Sequence, residues 1–570
     1  MKKPLRVFGM ALMIIAGGSL TGVGAIRTTS TSGDWTNNAT WGSQYPTNGD
    51  TATINGNYTV TLTNNEQIAL GSGNVNIGSS SKAGTLMVSN NSTVLGFAAI
   101  QVGSSSGGSR LTIVGGGLVT NTALSYVGNG VNANSVLVSN SNSRWLVTGV
   151  IYLGSSSSSN SMTIADSGVM SNNNSFYIGF NSGISNTVLV TGGGSRFDNS
   201  ANGVFVGRST SSNSLTIADG GVVNATGGAS VGYLTGANYN SGLVSGLGSS
   251  LNSGAILYVG RGTVGAGVTN NCLSVTTGGR VVISSGFSLT VADTVNSTGN
   301  GMLLASGGLL EATSTGIILG NAANSGNYVT NSGGILQFTA ATPTITVNNS
   351  PQNVIVITNG TVSFRNVALV NLTNNWVNSS IGSSTVAWQG NNTLRLNGTT
   401  ATNALGYSYQ FATNQPMEAK NYVNLEMLGT SAIKGGGVTI GAGGSMLVSN
   451  GTVNISGIVT NSGTLRFVNS AVTFESNVVL QAGCINAVVS TNQLPMTVQG
   501  VLTVNGGTVN LPTGFGTTDS FTLYTSPNNT ILGSVSSLSV SPNSHRAVLS
   551  DDSKSIVVRP RQPGFVFMVD

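Results

Sequence analysis

Fifteen carboxylates, one histidine and two cysteines are the side chains of this 570-residue chain best suited to metal binding or to acid–base work near neutral pH. Cleavage of a polysaccharide needs acids clustered on one face, or set there beside Lys or Arg. Asp166 and Asp219 are the best-matched pair. They occupy the same place in Ser159–Val169 and Ser212–Val222, segments that agree at nine of eleven positions. Two structural periods would set them about 9–10 Å apart, with Thr191 in the related place between them. A turn role, with the carboxylate hydrogen-bonding the backbone, accounts for them better than catalysis. Asp198 and Asp293 have no evident partner, and Asp551 with Asp552 fits an exposed turn. His545 stands alone. Cys272 and Cys484 lie 212 residues apart, which is about eight coils or about 40 Å, against the ~7 Å that a disulfide allows between Cα atoms. Neither has metal-ligand spacing. No glycine-rich stretch opens a helix, so a phosphate loop is not expected, and no Ca²⁺ nonapeptide repeat is present. The expectation is a chain with no catalytic residue, no metal and no cofactor.

Binding chemistry is easier to find. A short apolar strand closing on glycine recurs at Gly78, Gly103, Gly128, Gly154, Gly179, Gly207, Gly232 and Gly260, at spacings of 25, 25, 26, 25, 28, 25 and 28 residues. The residue before each glycine is Val, Ile or Leu. The residue three before it is usually apolar as well: Ile100, Ile151, Phe176, Val204 and Leu257. Strand alternation turns both inward. The residue two before the glycine then faces out, and it is Tyr126, Tyr152, Tyr177, Phe205 or Tyr258, interrupted by Gln101 and Ser230. The spacing predicts an exposed aromatic ladder with about 4.8 Å between rungs. Such a ladder stabilises neighbouring coils, and it could also serve as a stacking platform for carbohydrate or as a partner surface. Thr112, Thr163 and Thr216 form a second outward row. Single Thr residues there fit β-propensity better than a ligand-binding plane.

The elements that hold these rows follow from the period. Each copy can bury its apolar face only against its neighbours, the mark of a solenoid. Leu111–Ile113, Met162–Ile164 and Leu215–Ile217 give a second strand per period. Val169–Met170 and Val222–Val223 begin a third. Three short strands and three turns in about 25–28 residues predict an all-β fold, a right-handed parallel β-helix capped at both ends. No segment has a 3.6-residue period, and propeller blades would need about 40–50 residues. Two kinds of coil alternate: Asn186–Phe197 resembles Val136–Trp145 rather than its immediate neighbours.

Composition agrees. Only 6% of residues are charged, while hydrophobic residues reach 39% in regular clusters, too many for a disordered chain. Residues 1–25 read as a secretory signal, with a basic start at Lys2, Lys3 and Arg6, an apolar run, and small residues before a cut after Ala25. Without those three cations the balance is 17 basic to 15 acidic residues, and the basic residues are scattered singly, so no nucleic-acid partner is expected. No later run is long and apolar enough to cross a membrane. The expected divisions are an N-terminal cap over 26–75 plugged by Trp35 and Trp41, regular coils over 76–290, a less regular continuation over 291–505, and a C-terminal β cap over 506–570.

The entry segment with Trp35 and Trp41, coils such as Thr216–Gly221, and the closing stretches Gly500–Val509 and Phe521–Tyr524 together resemble the autotransporter-associated β-strand-repeat proteins of bacteria, passenger-type surface proteins with pectin-lyase-like β-helices. The resemblance spans most of residues 30–560. It implies export, an extracellular or cell-surface site, and a structural or adhesive role, with extracellular polysaccharide or other surface proteins as partners. No segment reads as a C-terminal translocator barrel, and Arg559–Asp570 is not a Pro-Glu-Pro sorting signal. A non-enzymatic surface protein is therefore the leading expectation. A polysaccharide-binding or polysaccharide-degrading β-helix is the second.

Overall fold

A computed structural model describes most of residues 24–561, with backbone strands but no side chains over most of 344–439. The expected signal segment lies almost wholly outside the described residues. Parallel strands stack into three long sheets. The first holds 13 strands, from Ile26–Thr28 to Thr344–Val347, and the second 14, from Gly33–Asp34 to Thr385–Gln389. The third runs from Gln67–Ala69 through to Leu538–Ser541, and sheets of nine and six strands take over beside it in the second half. The chain visits the three sheets in turn, so it is an all-β solenoid of stacked coils.

Register is strict because one face of every strand is buried. Val127, Leu153, Ile178 and Val206 pair in one line, and each is almost wholly buried. Ile100, Ile151, Phe176, Val204 and Leu257 fill the interior beside them. A one-residue slip would turn this whole set outward.

The turn after most first-sheet strands is set by glycine and asparagine together; after Ser288–Val291 the glycine's place is taken by Ala292, at φ +59°. Gly103, Gly128, Gly154, Gly179, Gly207, Gly232 and Gly260 all have φ between +73° and +79°, a region that L side chains enter at a cost. A Cβ there would also land in the side chain of an asparagine one coil further on: Asn213 for Gly179, Asn240 for Gly207. These asparagines form a buried ladder of Asn134, Asn160, Asn186, Asn213, Asn240, Asn271, Asn300, Asn327 and Asn353. Each of the first eight donates both its backbone N–H and its Nδ2 to the Oδ1 of the next, at 2.9–3.2 Å. Nothing in the strand pattern announces this ladder, because Asn is an ordinary turn residue and is abundant here.

The strands of residues 26–75 already pair into all three sheets. Trp35 and Trp41 are buried and meet edge to face at 5.1 Å. The Trp41 indole N–H donates to the Trp35 carbonyl at 2.7 Å. Their rings are packed inside the first coil and are closed to a sugar. At the other end Phe521–Thr525, Ser555–Pro560 and His545–Leu549 pair antiparallel. Both cysteines are free.

Candidate functional site on the outer face of the first sheet

The Gly-closed strands place their outward aromatics one above another. Tyr126, Tyr152, Tyr177 and Phe205 are directly paired across successive strands. Their rings stack with centroids 5.2, 5.3 and 5.1 Å apart and planes within 20° of parallel. All are half-buried. The next rung is Ser230, so Tyr258 stacks on no ring directly above it.

A second column bridges that break. The residue after each glycine also faces outward, because the left-handed glycine resets the alternation. Phe180, Arg208, Tyr233 and Arg261 are aligned there. Phe180 meets Tyr152 edge-on at 4.7 Å. Arg208 lies over Tyr177 and Phe180, with centroid distances of 5.5 and 4.9 Å. Phe205 touches Tyr233 at 4.7 Å, and Arg261 covers both Tyr233 and Tyr258 at 5.4 and 4.4 Å. Arg261 also meets Asp293 at 3.5 Å. Each cation over a ring contributes about 0.5–1 kcal/mol at an exposed site. All five expected residues thus lie on one strip, with Tyr258 tied in through Tyr233 and Arg261. These four additional residues were readable as the position following each glycine.

Stacking decides what the strip can bind. Ring faces inside the column are occupied by their neighbours, so ring edges and phenol oxygens meet solvent. A platform for sugars stacked on ring faces, as the alternation alone suggested, is open only at the column ends. Burial, reinforced by the neighbouring Tyr126 and Tyr177, raises the Tyr152 pKa. Burial also raises that of Tyr258, with Arg261 opposing it. A raised pKa in the fold means that stabilisation is complete below the ordinary tyrosine range, about pH 10, and is lost as pH rises through the folded value. The melting temperature should therefore fall steeply above that range, and Tyr152→Phe should flatten the fall. An identical alkaline profile for the variant would refute this.

The other outward positions have simpler roles. Asp166 and Asp219 sit at φ +49° and +50°. They accept from the hydroxyls of Ser139 and Thr191 on the preceding coil, at 2.8 and 3.2 Å, rather than closing their own turns onto the backbone. The Thr112, Thr163 and Thr216 row is interleaved with Leu137, Leu189 and Leu243 in one column, the visible result of two alternating kinds of coil. His545 is buried between Ser544 and the Asp519 carbonyl.

Fold and strip together define a parallel β-solenoid with a continuous aromatic and arginine seam. No protein-family model matches the sequence, and no curated protein matches it. Among solved structures it is similar to a crystal structure described as a TibC-catalyzed hyper-glycosylated TibA55-350 fragment. The identity is 14%, and the match covers 84% of this chain and 99% of that one, with a TM-score of 0.22. At that identity and score the likeness says nothing of what this chain does.

Proposed function

We propose that the chain is an exported, non-enzymatic β-solenoid with a structural or adhesive role at the cell surface or outside it. Parallel in-register stacking supports this, because it lines up outward side chains of similar character along each sheet over many rungs. Between Ser135 and Thr276 the second sheet carries Ser, Thr, Leu, Ala and one Cys on its outer columns and no charge. The first sheet carries the aromatic seam. A rigid face of this kind makes many weak contacts at once, and linked contacts multiply apparent affinity without any single strong site. The second possibility, a polysaccharide-binding or polysaccharide-degrading solenoid, has less support from the seam, since its inner ring faces are closed. The test is retention of the intact protein on arrays of glycans and extracellular proteins, beside a Tyr152→Ala, Tyr177→Ala variant. Retention that drops in the variant supports contact through the seam. Failure of the intact chain to be retained on any surface would sink the adhesive reading.

A further inference from the structure

The C-terminal end of the solenoid carries a cluster that the chain's sparse charge makes conspicuous. Arg546 and Arg559 stand directly opposite each other in the antiparallel pair of His545–Leu549 with Ser555–Pro560. Both are exposed, on the face away from buried His545 and Val558. Arg561 follows two residues after Arg559 and is also exposed. Like charges directly opposite on a strand pair are unfavourable. Yet among the described residues neither Arg546 nor Arg559 pairs with a carboxylate. The nearby acids are engaged elsewhere: Asp519 accepts from the Gly516 amide, and Asp552 from Ser550 and the Lys554 amide. Along the strand, Asp551 and Asp552 lie about 15 Å from Arg546.

Arg546 and Arg561 border a cleft of about 720 Å³ whose lining also includes Ser534, Ser536, Leu538 and Val548, with no carboxylate among them. The lining takes four consecutive residues of one strand, Arg546 to Leu549. That strand is the last of its sheet. One edge pairs with Ser555–Pro560. On the other, the His545 N–H donates to the Pro542 carbonyl and the His545 carbonyl accepts from Arg561 Nε at 3.2 Å, while Ala547 to Leu549 pair with no described strand. An open edge presents unpaired N–H and C=O groups to an incoming chain.

The geometry points to this cleft as a docking site for an extended acidic peptide of a partner protein. The peptide adds as a short strand to the free edge of Ala547–Leu549, and its Asp or Glu side chains reach Arg546 and the outer nitrogens of Arg561, whose Nε is held by the His545 carbonyl. Guanidinium groups take carboxylates in two-pronged, charge-assisted hydrogen bonds, which relieves the repulsion between Arg546 and Arg559. The free edge is what favours a peptide over an acidic saccharide, since a saccharide cannot continue a backbone ladder. The site is separate from the aromatic seam, so the two stand or fall independently.

The test uses the full chain and a synthetic peptide alternating Glu with Val, read by biolayer interferometry. Saturable binding is expected, weakening as NaCl rises. Replacing each Glu by Gln, or each Val by Pro, should weaken it at least tenfold, the first by removing charge and the second by blocking main-chain pairing. The Arg546→Gln, Arg561→Gln protein should bind at least fivefold more weakly, and its melting temperature should fall only slightly, through loss of the Arg561 bond to the His545 carbonyl. No binding, equal binding by the Pro peptide, or unchanged binding by the double variant would overturn the proposal. A hexuronate oligomer that binds as tightly as the peptide would also overturn it, in favour of a saccharide site.

Discussion

Replacing Asn213 by alanine is expected to cost the solenoid more than most single surface changes. The Asn213 Oδ1 accepts both the backbone N–H and the Nδ2 of Asn186, each at 3.0 Å. Its own Nδ2 donates to Thr210, Ser211 and Asn240. Removing it leaves the buried Asn186 N–H without an acceptor. The Asn186 Nδ2 keeps only the Ser157 carbonyl. An orphaned buried group costs about 1–3 kcal/mol, and the emptied space adds to that. A total of about 3–5 kcal/mol is expected, read as a lower guanidinium midpoint. Because coils contact only their neighbours, hydrogen exchange should quicken chiefly around residues 180–240 and leave the coils near 465–480 unchanged. A loss below about 1 kcal/mol, the net value of one ordinary hydrogen bond, would mean that the ladder is decorative.

Gly179→Ala should be comparably damaging for a different reason. Gly179 has φ +79°, so alanine carries about 1–2 kcal/mol of backbone strain. Its Cβ would also overlap the Asn213 amide in the next coil. About 3 kcal/mol or more is expected. Gly130 is the control. It has φ +72° and open space where a Cβ would stand, so Gly130→Ala should cost only the strain. The double variant Gly179→Ala, Asn213→Ala removes the amide that the new Cβ would overlap. It should be less destabilised than the sum of the single variants by more than about 1 kcal/mol, as residues in contact rarely add. Strict additivity would disprove direct contact between glycine and asparagine.

The parts of this architecture visible in the sequence are those with a local period. The apolar residue before each glycine sets the inward side, and alternation then places Tyr126, Tyr152 and Tyr177 outward without further information. What stayed hidden depends on neighbours distant in the chain. Asn213 looks like any turn asparagine until the coil above and the coil below are in place, because its partners are 27 residues away in either direction. Arg208 and Arg261 read as isolated charges until register sets Arg208 over Tyr177 and Phe180 of the preceding coil and Arg261 over Tyr233 of the preceding coil and Tyr258 of its own strand. Arg546 and Arg559 are separated by 13 residues and become neighbours only through an antiparallel pairing that interrupts the parallel plan. Single scattered cations along a chain are thus no guide to their spacing on its surface.

The match of Gly207 to Asn240 rather than to Asn213 of its own coil also bears on how such a chain can lengthen. From Gly103 to Gly260 each coil supplies a vacancy for the coil after it, and the asparagine of the next coil fills it. Duplication of one whole repeat, from any starting point, therefore preserves every match. Loss of part of a repeat leaves an asparagine without its hollow. Lengthening of the connecting loop is harmless, since Asn240 and Asn271 bond across 31 residues as readily as Asn134 and Asn160 do across 26. The gain or loss of a complete repeat within this stretch is therefore compatible with the fold, and length is the property the packing constrains least.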